Sequence, residues 1–95
     1  NNGTISIPSG TWTFNGFAGG FINNGTIIVA SGTWTVSTTS FVNNGTITHN
    51  GNGWTLASTF VNASVGTVTY AGTALSTSAS FSQLGAFDLT GKTIT

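Results

Sequence analysis

Large apolar side chains recur two positions apart along this chain, in short bursts divided by glycine, asparagine and serine. In Thr26-Ile27-Ile28-Val29, Thr33-Trp34-Thr35-Val36 and Ser40-Phe41-Val42 the bursts are clear. The breaks between them are Ala30-Ser31-Gly32, Ser37-Thr38-Thr39 and Asn43-Asn44-Gly45. A period of two with β-branched and aromatic enrichment marks half-buried strands, and no stretch has helical apolar spacing.

The bursts come in sets. Asn-Asn-Gly-Thr-Ile opens at Asn1, Asn23 and Asn43 and returns in looser form from Asn62 as Asn-Ala-Ser-Val-Gly-Thr-Val. A second phrase follows each opening: Gly10-Thr11-Trp12-Thr13, Gly32-Thr33-Trp34-Thr35, Gly53-Trp54-Thr55 and Gly72-Thr73-Ala74. A third closes it: Phe21-Ile22, Phe41-Val42, Phe60-Val61 and Phe81-Ser82. Repetition at such a period means stacked units, each unable to bury its apolar face alone. The prediction is an all-β fold, a parallel β-solenoid (β-helix) of about four coils with three short strands per coil and a triangular section. Counted between Thr4, Thr26, Thr46, Thr67 and Thr93, the coils are 20 to 26 residues long. One domain spans 1–95, with coils at 1–22, 23–42, 43–61 and 62–87, and 88–95 beginning a further coil. Gln83 to Leu89 adds material to the last coil, as a loop or an imperfect cap.

Strand alternation assigns the faces. On the first sheet Ile5, Ile7, Ile27, Val29, Ile47, Val68, Tyr70 and finally Ile94 point inward. On the second, Trp12, Trp34 and Trp54 do so, with Phe14, Val36 and Leu56 two positions on. Phe21, Phe41, Phe60 and Phe81 form a third inward column. The opposite parity buries threonines and exposes every large side chain, against the hydrophobic effect. His49 takes the slot of Ile7 and Val29 and reads as a corner residue with a hydrogen-bond partner, since no second His, Cys or carboxylate is in phase with it for a metal. Asn-Gly pairs at 2–3, 24–25 and 44–45 mark one corner, where glycine tolerates positive φ. The column Asn1, Asn23, Asn43 and Asn62 is placed to form an inward amide ladder.

The phrase Phe-x-Asn-Asn-Gly-Thr-Ile followed by Gly-Thr-Trp-Thr resembles the right-handed parallel β-helix repeats of large bacterial surface proteins, the filamentous-haemagglutinin-like adhesins and autotransporter passengers. The resemblance covers nearly the whole chain. It implies a β-helix in an extracellular or cell-surface setting and no particular ligand. Members of that group string together many coils with dedicated caps; here there are about four and none.

Charge sharpens this picture. Asp88 and Lys92 are the only charged side chains and His49 the only histidine in 95 residues. One lysine neutralises no phosphate track, so nucleic acid is not an expected partner. The longest apolar run, Ile27 to Ala30, is too short to span a bilayer. Without cysteine there is no disulfide framework. No initiator methionine or signal-peptide pattern is seen, which reads as a processed chain or a segment of a longer one.

Catalysis is not expected. Glycoside hydrolysis wants a carboxylate pair, and Asp88 stands alone. A serine with His49 and Asp88 is a triad only on paper, because these residues fall in different coils and no Gly-x-Ser-x-Gly elbow occurs. No cofactor or metal motif is present.

Three non-catalytic features remain. Asn2, Asn24, Asn44 and Asn62 match the N-glycosylation acceptor pattern, which a turn followed by a strand also produces without any sugar. Outward threonines form ranks: Thr11, Thr13, Thr33, Thr35 and Thr55 on the second sheet, and Thr4, Ser6, Thr46, Thr48, Thr67, Thr69, Thr93 and Thr95 on the first. Such Thr-x-Thr ranks resemble the ice-binding faces of insect antifreeze proteins, although β-propensity alone favours threonine there. The terminal strands Thr4-Ile5-Ser6-Ile7 and Lys92-Thr93-Ile94-Thr95 begin and end in phase, with Lys92 the one edge guard and Pro8 at a turn. Uncapped edges invite head-to-tail addition of a second copy. The expected function is therefore a structural segment of an extracellular fibre growing by end-to-end stacking and carrying covalent glycans. Ice binding and a carbohydrate-binding adhesin segment are the alternatives.

Overall fold

The structure is a computed structural model that describes residues 1–15, 19–77 and 81–95. The parts of the first and fourth coils at 16–18 and 78–80 lie outside the described residues. Three strands build each coil: β1 (Thr4–Ile7), β2 (Thr11–Asn15) and β3 (Phe21–Asn23); β4 (Thr26–Val29), β5 (Thr33–Ser37) and β6 (Ser40–Asn43). Then follow β7 (Thr46–His49), β8 (Gly53–Leu56) and β9 (Thr59–Asn62); and β10 (Thr67–Tyr70), β11 (Ala74–Thr77) and β12 (Phe81–Gln83). Two strands of a fifth coil, β13 (Ala86–Phe87) and β14 (Thr93–Ile94), complete the described set. They stack into three parallel sheets, β1-β4-β7-β10-β13, β2-β5-β8-β11-β14 and β3-β6-β9-β12. This is the parallel β-solenoid that the repeats predict.

Every rung lies in register over the next, so like sits on like. Thr26 pairs with Thr4 and Thr46, Trp34 with Trp12 and Trp54, and Phe41 with Phe21 and Phe60. The rungs are separated by about 4.8 Å, and the aromatic columns keep that spacing. Ring centroids are 4.8 and 5.0 Å apart down the tryptophan file, and 5.1, 5.4 and 5.5 Å apart down the phenylalanine file from Phe21 to Phe81. Trp34, Val36, Phe41, Ile47, Leu56 and Phe60 are wholly buried. Each gains about 1.5–3 kcal/mol or more from leaving water, and the stacked rings add a little beyond area.

The C-terminal rungs differ from the sequence expectation. Ala86 and Phe87, not Thr93 and Ile94, continue the first sheet, paired with Thr67 and Val68. Thr93 and Ile94 lie instead on the second sheet beside Ala74 and Leu75. Gln83 to Leu89 is thus no inserted loop: it holds the end of β12, a corner and a regular fifth rung. Ile94 is half exposed rather than an inward residue of the first sheet. The edge strands Thr4–Ile7 and Lys92–Thr95 accordingly belong to different sheets.

The Asn-Gly corner also works by a different principle from the one expected. No glycine there has positive φ; among the described residues that conformation occurs at Gly10 and Gly32, on the opposite side of the first sheet, and at Gly20 and Gly91. Glycine is needed at the Asn-Gly corner because successive coils touch there. A β-carbon on Gly25 would collide with the Gly3 carbonyl oxygen, and one on Gly45 with that of Gly25. Backbone crowding, rather than turn handedness, selects the residue.

Candidate functional site

The polar groups of the described residues include two amide ladders, one histidine corner and two ranks of hydroxyls. The inner ladder starts at Asn1, ahead of β1, and continues through the last residues of β3, β6 and β9. Asparagine there points inward because it follows the inward phenylalanine by two. Asn1 donates through Nδ2 to Asn23 Oδ1 at 3.0 Å, Asn23 to Asn43 at 2.9 Å and Asn43 to Asn62 at 2.9 Å. Asn23, Asn43 and Asn62 are completely buried. Each amide also reaches two carbonyl oxygens. For Asn43 these are Gly45 at 3.2 Å and Thr67 of the next coil at 3.3 Å. Gln83 occupies the next rung, in register with Asn62, and its Nε2 donates to the Gly85 carbonyl. Its signal in the sequence is Phe81-Ser82-Gln83, a copy of Phe-x-Asn.

An outer ladder, not anticipated from sequence, joins the second asparagine of each corner. Asn24 donates to Asn2 Oδ1 at 3.3 Å and Asn44 to Asn24 Oδ1 at 3.0 Å. These are three of the four glycosylation candidates, with Asn2 and Asn24 exposed and Asn44 half-buried. The fourth, Asn62, is wholly buried at the end of the inner ladder. Its Nδ2 is spent on the Gly66 and Ala86 carbonyls, so the folded chain offers no acceptor nitrogen at that position.

His49 is fully buried at the corner between the first two sheets. Its Nε2 lies 2.8 Å from the Gly53 carbonyl oxygen, and Nδ1 accepts from the Gly51 N–H at 3.2 Å. A carbonyl only accepts and an N–H only donates, so the ring is the neutral tautomer with its proton on Nε2. Tyr70 fills the same slot one coil on, stacked on His49 with centroids 4.9 Å apart, and its hydroxyl donates to Ala74 at 2.5 Å. Ala74 is the register partner of Gly53, so the two side chains make equivalent corner bonds. Trp34 and Trp54 stand edge-on to the imidazole, and no carboxylate faces it. Burial pushes the imidazole below its ordinary pKa, opposed in part by the bond to Gly53.

The structure does not bring the paper triad together. His49 has both nitrogens committed to backbone, whereas the exposed Asp88 carboxylate accepts from the Thr90 N–H at 2.9 Å in a turn of its own. Among the described residues no group of three or more His, Cys, Asp or Glu is placed to hold a metal. Lys92 reaches the Tyr70 carbonyl at 2.6 Å and lies 5.2 Å from the centre of the Tyr70 ring. It thereby caps an oxygen of β10 beyond the part covered by β13. No described helix is long and apolar enough to cross a membrane.

Of the second-sheet threonines, Thr11, Thr13 and Thr33 are exposed and Thr35 and Thr55 half-buried. Their first column breaks at Gly53 and Ala74, and Thr33 donates to the Thr11 hydroxyl at 3.4 Å. On the first sheet the column Thr4, Thr26, Thr46, Thr67 is unbroken until Ala86, beside a column of Ser6, Ile28, Thr48 and Thr69. Comparison with protein-family models, with characterised proteins and with solved structures finds no match to this chain.

Two outcomes test the polar interior. Asn43→Ala leaves the buried Asn62 Oδ1 without its donor and takes from the Asn23 amide one of its three acceptors. It should cost at least about 2 kcal/mol in urea denaturation, whereas Asn44→Ala on the outer ladder should cost about 0.5 kcal/mol or less. The second concerns pH. The unfolded histidine takes up a proton below the ordinary value of 6.5 while the buried one resists it. Stability should therefore be level above pH 6.5 and fall below it, by up to about 1.4 kcal/mol per pH unit. His49→Tyr, which reproduces the neighbouring rung, should flatten that slope.

Proposed function

We propose that this chain is a structural segment of an extended extracellular rod, in which further coils, of the same chain or of another copy, stack on its outer rungs. The observation that carries the reading is the buried amide ladder. It runs from Asn1 to Asn62 with the same side-chain bond at each step, so a Phe-x-Asn rung added before Asn1 is met by the same acceptor oxygen. At the other end Gln83 breaks the pattern with a buried oxygen that no described residue engages. The neighbouring columns support it: each aromatic file would be continued by a further coil of the same pattern. A surface with two charged side chains offers neither the repulsion that keeps chains apart nor the inward charges that block sheet edges. The cell-surface setting rests on the resemblance of the repeats, and glycans on Asn2, Asn24 and Asn44 would coat the corner at the expense of the outer ladder. The carbohydrate-binding alternative has less support, because no described aromatic side chain is exposed to stack on a sugar.

Sedimentation velocity and electron microscopy over a concentration series test the rod. Particles of constant width should lengthen with concentration, and Ile5→Lys, which places an inward charge on the outer strand β1, should hold them at one chain. Single chains at every concentration, together with native material that shows no filament, would sink the reading.

A second reading, ice binding, is favoured by one observation on the first sheet. Thr4, Ser6, Thr26, Thr46, Thr48, Thr67 and Thr69 present hydroxyls that no described residue engages, spaced about 4.8 Å between rungs and about 6.6 Å along each strand. Only Ile28 interrupts them. Thermal hysteresis should then be abolished by Thr46→Arg and survive Thr35→Arg on the second sheet; a solution without hysteresis removes this reading.

A further inference from the structure

Five described Asn-Gly pairs occur, at 2–3, 24–25, 44–45, 50–51 and 52–53. In such a pair the glycine nitrogen can attack the asparagine side-chain carbon, because no β-carbon hinders the approach. What differs between the pairs is where the proton on that nitrogen points. At the ladder corners Gly25 N–H donates to the Asn1 carbonyl at 2.9 Å and Gly45 N–H to the Asn23 carbonyl at 3.0 Å. A carbonyl oxygen is too weak a base to take the proton. The side chains of Asn24 and Asn44 are moreover tied into the outer ladder.

Asn50-Gly51 is built differently. Gly51 N–H donates to His49 Nδ1 at 3.2 Å, a lone pair on a true base. The bond from Nε2–H to Gly53 at 2.8 Å fixes the tautomer that leaves this lone pair free. Asn50 is exposed and its side chain is engaged by no other residue. The flanking backbone is clamped, Asn50 N–H on the Val29 carbonyl at 2.7 Å and Asn52 N–H on the Gly32 carbonyl at 3.0 Å, so the Gly51 nitrogen and the imidazole keep their relative place.

We propose that His49 acts as an internal base that converts Asn50 into aspartate or isoaspartate through a cyclic imide. His49 Nδ1 takes the Gly51 amide proton as that nitrogen bonds to Asn50 Cγ. The proton returns to the side-chain nitrogen, the Cγ–N bond breaks and ammonia leaves. One water then opens the imide at either carbonyl, yielding a side-chain carboxylate or a backbone routed through the former side chain. Nothing is oxidised or reduced. The substrate is a primary amide of the chain itself, and the product places a negative charge on an uncharged corner between the first two sheets. This activity is independent of the rod and ice readings.

The experiment is timed incubation of the folded chain at neutral pH in isotopically heavy water, followed by peptide mapping. Asn50 should gain heavy oxygen and release ammonia at least about tenfold faster than Asn24 and Asn44, with the rate falling as pH drops into the range where imidazole is protonated. His49→Tyr keeps the corner bond by the precedent of Tyr70, and His49→Val follows Val29 in the same column. In either variant that retains the wild-type circular dichroism, Asn50 should slow to the rate of Asn24. Equal rates at the three asparagines, an unchanged Asn50 rate in the folded variants, or a faster Asn50 rate after unfolding in urea would each overturn the proposal. A pH profile at Asn50 that merely parallels those at Asn24 and Asn44, where loss of hydroxide alone slows imide formation, would also overturn the proposal, and this comparison is read on the unmodified chain even if both variants unfold.

Discussion

A primary amide buried inside a protein needs partners for two donors and an oxygen, and in this fold the partners come from one rung away. That requirement is the constraint on which the rest of the molecule depends. The Asn23 and Asn43 oxygens each accept from the asparagine of the coil before, while their nitrogens serve the coil after. A slip of one residue in any third-sheet strand would turn its asparagine to solvent and its phenylalanine with it. Buried polar groups left without partners cost far more than their bonds return. The ladder therefore sets register as much as it adds stability, and the aromatic files beside it follow.

Much of this architecture was legible in the sequence because the signal was repeated. The alternation in Thr33-Trp34-Thr35-Val36 places tryptophan inward with no need of a structure, and the three-fold recurrence of Asn-Asn-Gly-Thr-Ile locates the corner. Two errors have physical causes. Gly91-Lys92-Thr93-Ile94 looks like Gly3-Thr4-Ile5, yet Gly85-Ala86-Phe87 is the true continuation. Ala86 lacks the β-branch that makes the motif recognisable, while Gly85 meets the crowded backbone beside Ala63 and Gly66 as its counterparts do. The Asn-Gly corner likewise gave the right position for the wrong reason, since turn chemistry and backbone contact both select glycine. Of the polar groups, the inner ladder and the His49 corner followed from strand parity. The outer ladder did not, because side-chain direction at a corner is set by the stacking of coils rather than by alternation.

The two aromatic files and the histidine column share one interior, and this ties the polar chemistry to the packing. His49 is held between Val29 and Tyr70 in register and flanked by two indoles. Its tautomer is set by two backbone groups of one tight corner. The ring is thus as much a part of the core as its aliphatic counterparts, and its basicity is expressed only toward the Gly51 nitrogen. A chain with almost no charge still carries a directed proton acceptor, because the corner supplies the orientation that solvent would otherwise randomise.

The loop Ala63–Val65 widens the Asn-Gly corner in the fourth coil, and Val65 stands nearly three-quarters exposed there. The inner ladder nevertheless reaches Asn62 with its bond from Asn43 kept at 2.9 Å, and Gly66 N–H closes the bulge on the Ala63 carbonyl at 2.8 Å. Length changes at this vertex are absorbed outward, away from the stacking geometry. The vertex is consequently a place where such a scaffold can acquire new peptide segments over evolutionary time, or accept grafted ones by design.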